Sequence, residues 1–127
     1  MMEIEAHLSY TRAHDWIDIR SKTIVRIGVT DFVQDLLGVI VFMELPELGT
    51  QLQEGDSYGC LESIKTVSDL CSPVSGQVVA VNDLLRKNPE IVNESPYTNG
   101  WIMEVAVADT EQYREFLSAT QYEQHVS

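Results

Sequence analysis

Pro46, Gly49 and Asp56 recur as Pro73, Gly76 and Asp83, each 27 residues later. Leu52 and Val79 occupy matching positions inside the two stretches, as do Gly55 and Asn82. Proline locks φ, and glycine and asparagine tolerate the positive φ of tight turns, so this spacing repeats turn positions rather than composition. Two similar units, PELGTQLQEGD and PVSGQVVAVND, therefore flank a single connection from Ser57 to Pro73. That arrangement favours like pieces joined by a hairpin, and Lys65 stands at its centre.

Taken as a two-residue hairpin about Lys65 and Thr66, the connection pairs Ile64 with Val67, Ser63 with Ser68, Glu62 with Asp69, Leu61 with Leu70 and Cys60 with Cys71. Like charges directly opposite, as at Glu62 and Asp69, are unfavourable. Lys-Thr is also a poor hairpin turn, since two-residue loops favour Asn-Gly or Gly-X. Local stability in that register leaves the choice of Lys65 unexplained. On the residues alone it is either a solvated surface lysine or a functional lysine held at a fixed tip.

The rest of the chain reads as short strands with a few short helices. WIDI and KTIVRI alternate as the arms of a hairpin turning near Arg20–Lys22. TDFVQDLLG changes period: Phe32, Val33, Leu36 and Leu37 form one helical stripe, with Thr30 as N-cap and Gly38 as stop. VIVFMEL is an apolar strand, and GWIMEVAV is a strand opened by the turn signal TNG. DTEQYREFL is a second helix, with Asp109 as cap and Tyr113, Phe116 and Leu117 as its buried stripe. The balance is a mostly β domain.

Bulk properties narrow the functional classes. A chain of 127 residues predicts one domain with a self-sufficient core, spanning 1–127. The formal charge of −12 argues against nucleic acid, whose phosphates require a basic patch. Only three lysines, Lys22, Lys65 and Lys87, stand among 20 acidic residues. Cys60 and Cys71 form no C-x-x-C pair and the histidines are scattered, so no metal site is expected. No apolar run approaches the length of a membrane span, and MMEIEAHLSY has neither signal-peptide nor transit-peptide composition. A cytoplasmic, reducing location is the expectation, with both cysteines free and packed as small hydrophobes. Nothing in the sequence pairs a nucleophile with a base or builds a phosphate loop, so a non-catalytic protein is expected.

Several motifs, in order along nearly the whole chain, resemble the H-protein family of the glycine cleavage system. ESIKTVSD resembles that family's lipoylation motif E-S-x-K-x-x-S-D. YTRAHDW resembles its Y-x-x-x-H-E-W. IGVTDFVQDLLGVIVFMELPELG resembles I-G-I-T-x-x-A-Q-x-x-L-G-x-x-V-F-V-x-L-P-x-x-G. SPVSGQVVAVND, NPEIVNESPYTNGWI and ATQYE follow the family pattern as well. The resemblance implies a barrel-sandwich hybrid of the lipoyl/biotinyl-carrier type, mostly β, with short flanking helices including a C-terminal helix. It implies lipoic acid in amide linkage on Lys65, which converts a cation into a neutral, flexible arm.

The implied role is that of a carrier, shuttling the aminomethyl group of glycine from glycine decarboxylase to aminomethyltransferase, after which dihydrolipoamide dehydrogenase reoxidises the arm. A lipoyl-attaching enzyme is the fourth implied partner; nucleic acid and membrane are not partners, and a monomer is expected. Glu62 and Gly49 match positions tied to recognition by the lipoylating enzyme. The alternatives are a solvated strand residue for Glu62, the less favoured of its two readings, and a simple turn glycine for Gly49, which is equally favoured and compatible with recognition. Asp69 matches a residue near the docked arm, where a carboxylate suits a cationic amine; His14 and Asp15 match the H-E pair that helps hold it.

Three positions depart from the pattern. Asp15 is one methylene shorter than the family's glutamate, Ala13 replaces a residue that is often Ser or Glu, and Phe32 is apolar where a polar residue is expected. These leave a second reading open, a lipoyl-relay protein that donates its lipoyl group to other enzyme complexes. A biotin carrier or unmodified binding module shares the fold, but biotin carriers usually read M-K-M around the lysine and this chain reads I-K-T.

Overall fold

The computed structural model describes residues 2–127. Nine strands form two sheets. The larger runs β1 (Ser9–Tyr10), β2 (Asp15–Ile19), β3 (Ile24–Val29), β9 (Met103–Ala106), β8 (Gly76–Val81), β5 (Gln51–Leu52). The smaller runs β4 (Ile40–Glu44), β6 (Ser57–Ser63), β7 (Val67–Cys71), so β7 is a sheet edge. Every pairing is antiparallel. Ile17, Val25, Ile27, Val78 and Val105 of the larger sheet share one core with Met43, Leu61 and Leu70 of the smaller. The mostly β architecture and the C-terminal helix are as expected, in the form of two packed sheets rather than a closed barrel.

The repeated units pair with each other. Gln51 faces Gln77 and Leu52 faces Gly76 between β5 and β8, and Gly49 N–H donates to the Val78 carbonyl at 2.8 Å. Gly55 has φ of +93°, as its place in the repeat predicts. Asn82 does not adopt positive φ; its amide instead donates to the Asn99 and Trp101 carbonyls, both at 2.8 Å.

Helix α1 (Asp31–Leu37) begins after Thr30 and ends at Gly38, whose φ of +80° ends the helix. Its predicted apolar stripe is not buried: Leu36 is 64% exposed, and Val33 and Leu37 only lean against the core. Thr30 caps with its backbone geometry alone, because its hydroxyl is engaged by Tyr122 at 2.8 Å. Two single-turn helices follow, α2 (Leu84–Lys87) and α3 (Ile91–Glu94).

The second predicted helix is a 3-10 segment, Thr110–Glu115, capped by Asp109, which accepts from Glu111 N–H at 2.9 Å. Phe116 and Leu117 lie beyond it, and the terminal helix is α4 (Ala119–Val126). A reciprocal capping box between Ser118 and Gln121 starts α4. Tyr122 fixes it to the body, stacking on Tyr10 at 4.5 Å and bonding Thr30 and His14.

Candidate functional site

The hairpin register differs from the sequence reading by two residues, because the turn sits one position earlier in the chain. Glu62 faces Val67, Leu61 faces Ser68, Cys60 faces Asp69 and Gly59 faces Leu70. The two-residue loop is therefore Ile64-Lys65, closed by Ser63 N–H donating to the Thr66 carbonyl at 2.8 Å. Neither loop residue has positive φ, so the turn is not of the primed kind that fits strand twist best. Ser63 compensates. Its buried hydroxyl oxygen accepts from the N–H of Lys65 at 3.1 Å and of Thr66 at 3.2 Å. A serine two residues before the turn's second central position is a known side-chain turn device, and that was the available signal for Ser63.

The corrected register removes the like-charge pair. Glu62 lies in a cross-strand row between Phe42 of β4 and Val67 of β7, and Asp69 lies opposite Cys60. The cysteines do not face each other: Cys71 pairs with Ser57, and both thiols are free. Cys60 leans toward Glu44, with sulfur and oxygen 3.8 Å apart. A bulge between Ile40 and Phe42 turns both Val41 and Phe42 outward. With Leu36, Val39, Ile64 and Val67 they give the tip's neighbourhood an exposed apolar character interrupted by Glu62.

Lys65 is exposed, and none of the ion pairs among the described residues involves it. Its stem bends over the end of α1, where a Cβ on Gly38 would stand 3.6 Å from Cε and 3.8 Å from Nζ. Glycine suits the φ there, and even a Cβ would make only ordinary van der Waals contact with the lysine stem. Acylating Nζ would break no charge contact in this fold, so the residues present fit a covalently attached acyl group.

Asp15 and Asp69 line one groove of about 160 Å³ between the two sheets, with Ala13, Val33, Ser68 and Cys71 among its other walls. Asp15 is buried; burial pushes its carboxyl up to about 7, and the Thr11 hydroxyl, donating to Oδ2 at 2.9 Å, acts in the opposite direction. Asp69 is exposed at the groove rim. His14 is not among the groove's walls. It has φ of +71°, its Nδ1 is 2.9 Å from the Tyr122 hydroxyl, and its ring stacks on Phe32 at 4.4 Å. Burial, then the nearby His125, holds its pKa below the usual histidine value. Phe32 thus serves as a platform for the His14 ring. Gly49 lies exposed at the β5–β8 junction with φ of +87°, away from the hairpin tip.

The model of the family described as glycine cleavage H-protein matches residues 8–127. The chain is 48% identical to the glycine cleavage system H protein of Anoxybacillus flavithermus over 126 residues, covering 99% of this chain and 98% of that one. It is 46% identical to the protein of the same name from Halalkalibacterium halodurans over 127 residues, 100% of this chain and 98% of that one. The crystal structure of a glycine cleavage system H protein from Mycobacterium marinum superposes with a TM-score of 0.85 at 38% identity, covering 97% of this chain and 98% of that one. A match of this extent, in sequence and in fold, makes the chain a member of the glycine cleavage H-protein family.

Proposed function

We propose that this chain is the lipoyl carrier of a glycine cleavage system, with lipoic acid in amide linkage on Lys65. The single observation that carries the assignment to Lys65 is its position: an exposed, unpaired lysine at the apex of a hairpin whose turn is held by Ser63. When attached, the lipoyl group would supply a disulfide whose opened form carries the aminomethyl unit between partner enzymes and, once unloaded as a dithiol, is reoxidised. The chain supplies position. The two strands present Lys65 at a fixed place, with its stem against Gly38 at the end of α1. Glu62, exposed in the row with Phe42 and Val67, is placed to be read by the lipoyl-attaching enzyme together with the tip. Gly49 serves first as a turn glycine, and its part in that recognition acts through the β5–β8 junction.

Asp15 and Asp69 give the groove a pair of carboxyls suited to a cationic amine. His14 contributes indirectly, by fixing the backbone next to Asp15 through its bond to Tyr122. The chain works as one non-catalytic domain and a monomer, in the cytoplasm. It visits glycine decarboxylase, aminomethyltransferase, dihydrolipoamide dehydrogenase and the lipoyl-attaching enzyme. Among the described residues, no helix is long and apolar enough to cross a membrane.

Intact mass of the protein purified from its native host tests the reading. The expected result is a lipoyl adduct that is lost in Lys65→Ala; an unmodified or biotinylated protein overturns it. Lipoylated protein offered to glycine decarboxylase is expected to support exchange of labelled bicarbonate into glycine. Absence of exchange in a lipoylated protein points instead to the relay role that Asp15 and Phe32 left open.

A further inference from the structure

The Asn93 side chain makes all its hydrogen bonds to one short stretch of chain. Its Oδ1 accepts from Ile40 N–H at 2.9 Å. Its Nδ2 donates to the Gly38 carbonyl at 2.8 Å and to Gln34 Oε1 at 3.1 Å. Gln34 in turn donates to Asp31 Oδ1 at 2.6 Å. One half-buried amide thus ties α1 to the first residue of β4. Asn93 is itself seated on α3, which is anchored by the fully buried Val92.

The chemistry of the joint explains the residue type. The end of a helix leaves carbonyls without partners. Here the Gly38 carbonyl needs a donor while Ile40 N–H needs an acceptor. An amide offers both at once, whereas a carboxylate offers acceptors alone.

The braced stretch is also the one that meets Lys65. Gly38 lies against the lysine stem, where a Cβ would stand 3.6 Å from Cε. Ile40 faces Ser63 across β4 and β6. Ser63 holds the N–H groups of Lys65 and Thr66 with its hydroxyl, and its own N–H closes the turn on the Thr66 carbonyl. Two paths therefore run from Asn93 to the lysine, a floor beside its stem and a rung beneath its turn. The turn needs such support, because neither Ile64 nor Lys65 has the positive φ that fits strand twist best.

We propose that Asn93 is a positioning residue for acylation of Lys65: through Gly38, and through Ile40 and Ser63, it holds the tip in the arrangement that the lipoyl-attaching enzyme binds. The inference rests on the carrier reading and extends it to a residue on another element. Acylation joins Nζ to the carbonyl carbon of an activated lipoyl donor. The activating group leaves with the electron pair of its bond to that carbon, and the ammonium sheds two protons. A tip that wanders occupies the binding arrangement for a smaller fraction of the time. That raises the apparent KM and leaves the step within the bound complex unchanged.

The test uses the full-length unmodified chain with a lipoyl-attaching enzyme, lipoic acid and ATP, read by intact mass. Asn93→Ala removes three side-chain hydrogen bonds. Gln112→Ala also removes three from a half-buried amide, one from Ser75 N–H at 2.6 Å and two to the Ser75 and Asp109 carbonyls at 3.1 and 3.0 Å. That amide braces the start of β8 instead. KM for the chain is expected to rise about three- to tenfold in Asn93→Ala with kcat unchanged, and to keep its wild-type value in Gln112→Ala. Should Asn93→Ala fail to fold, Asn93→Asp carries the test with the same expected rise, since it keeps the acceptor for Ile40 and loses both donors. A wild-type KM in the Asn93 variant, or an equal rise in the Gln112 variant, overturns the proposal and leaves the carrier reading standing. A wild-type chain that takes up no lipoyl group sinks both.

Hydrogen exchange of the Ser63 amide reads the same brace with no enzyme present. It is expected to quicken in the Asn93 variant beyond any change in Gln112→Ala. A Ser63 amide that exchanges alike in the two variants overturns the proposal.

Discussion

Asp15 holds a proton in the folded chain that it would shed in the unfolded one. Its ordinary value is 3.8 and its folded value about 7. Between those limits the native state binds the extra proton, so stability falls as pH rises through the window and levels off above it. Asp15→Asn removes the buried charge and keeps an acceptor for Thr11. The variant's gain over wild type is expected to be about 2 kcal/mol larger at pH 8 than at pH 5, read from urea unfolding. A gain that does not change with pH would remove charge burial as the cause. Ser63 acts at the same scale with opposite sign. Ser63→Ala leaves the Lys65 and Thr66 N–H groups without their acceptor; a loss of about 1 kcal/mol is expected in urea unfolding. Slower lipoylation is expected in a mass time course, because the tip is no longer held.

The elements show which parts of the architecture were legible in the chain. Strong period-two patterns placed β2 and β3, and the 27-residue repeat located two units that pair as β5 and β8. Motif order pointed to Lys65, which stands at the hairpin tip, and to Asp15 and Asp69, which line one groove. The hairpin register was not legible. Its apex carries no glycine or asparagine, and the serine hydroxyl that stabilises it acts through two backbone groups no pattern displays. The bulge at Tyr58 was not legible either, an irregularity at the point where Gly59 lets β6 approach β4 closely. The stretch Thr110–Glu115 is 3-10 rather than the expected α-helix: Tyr113 and Phe116 stack on each other against the main core, while Leu117, beyond the segment, packs on the second cluster. Gly59→Ala tests the fixed approach of β4 and β6. It is expected to cost about 3 kcal/mol, since a backbone oxygen cannot yield as a side chain does. A variant of wild-type stability in denaturant titration would mean that the two strands can part freely.

At the scale of the molecule, α4 is tied to the site through Tyr122, with His125 beside His14 and 3.0 Å from the Arg12 carbonyl. Tyr122 is fully buried, stacks on Tyr10, and reaches Thr30 at the start of α1 and His14 beside Asp15. Tyr122→Ala is expected to cost about 3 kcal/mol in urea unfolding and to loosen the backbone around Asp15. Faster amide exchange at Trp16 would report that loosening; unchanged exchange there would show α4 to be an independent appendage.

The solitude of Lys65 has a further consequence. A lysine that neutralises no carboxylate can lose its charge without disturbing any neighbour. Attachment of an acyl arm takes the formal charge from −12 to −13 by subtraction of that one cation. The apo and modified proteins should therefore melt together yet separate by electrophoretic mobility. The modification would be silent to the fold and audible to every partner that senses the tip.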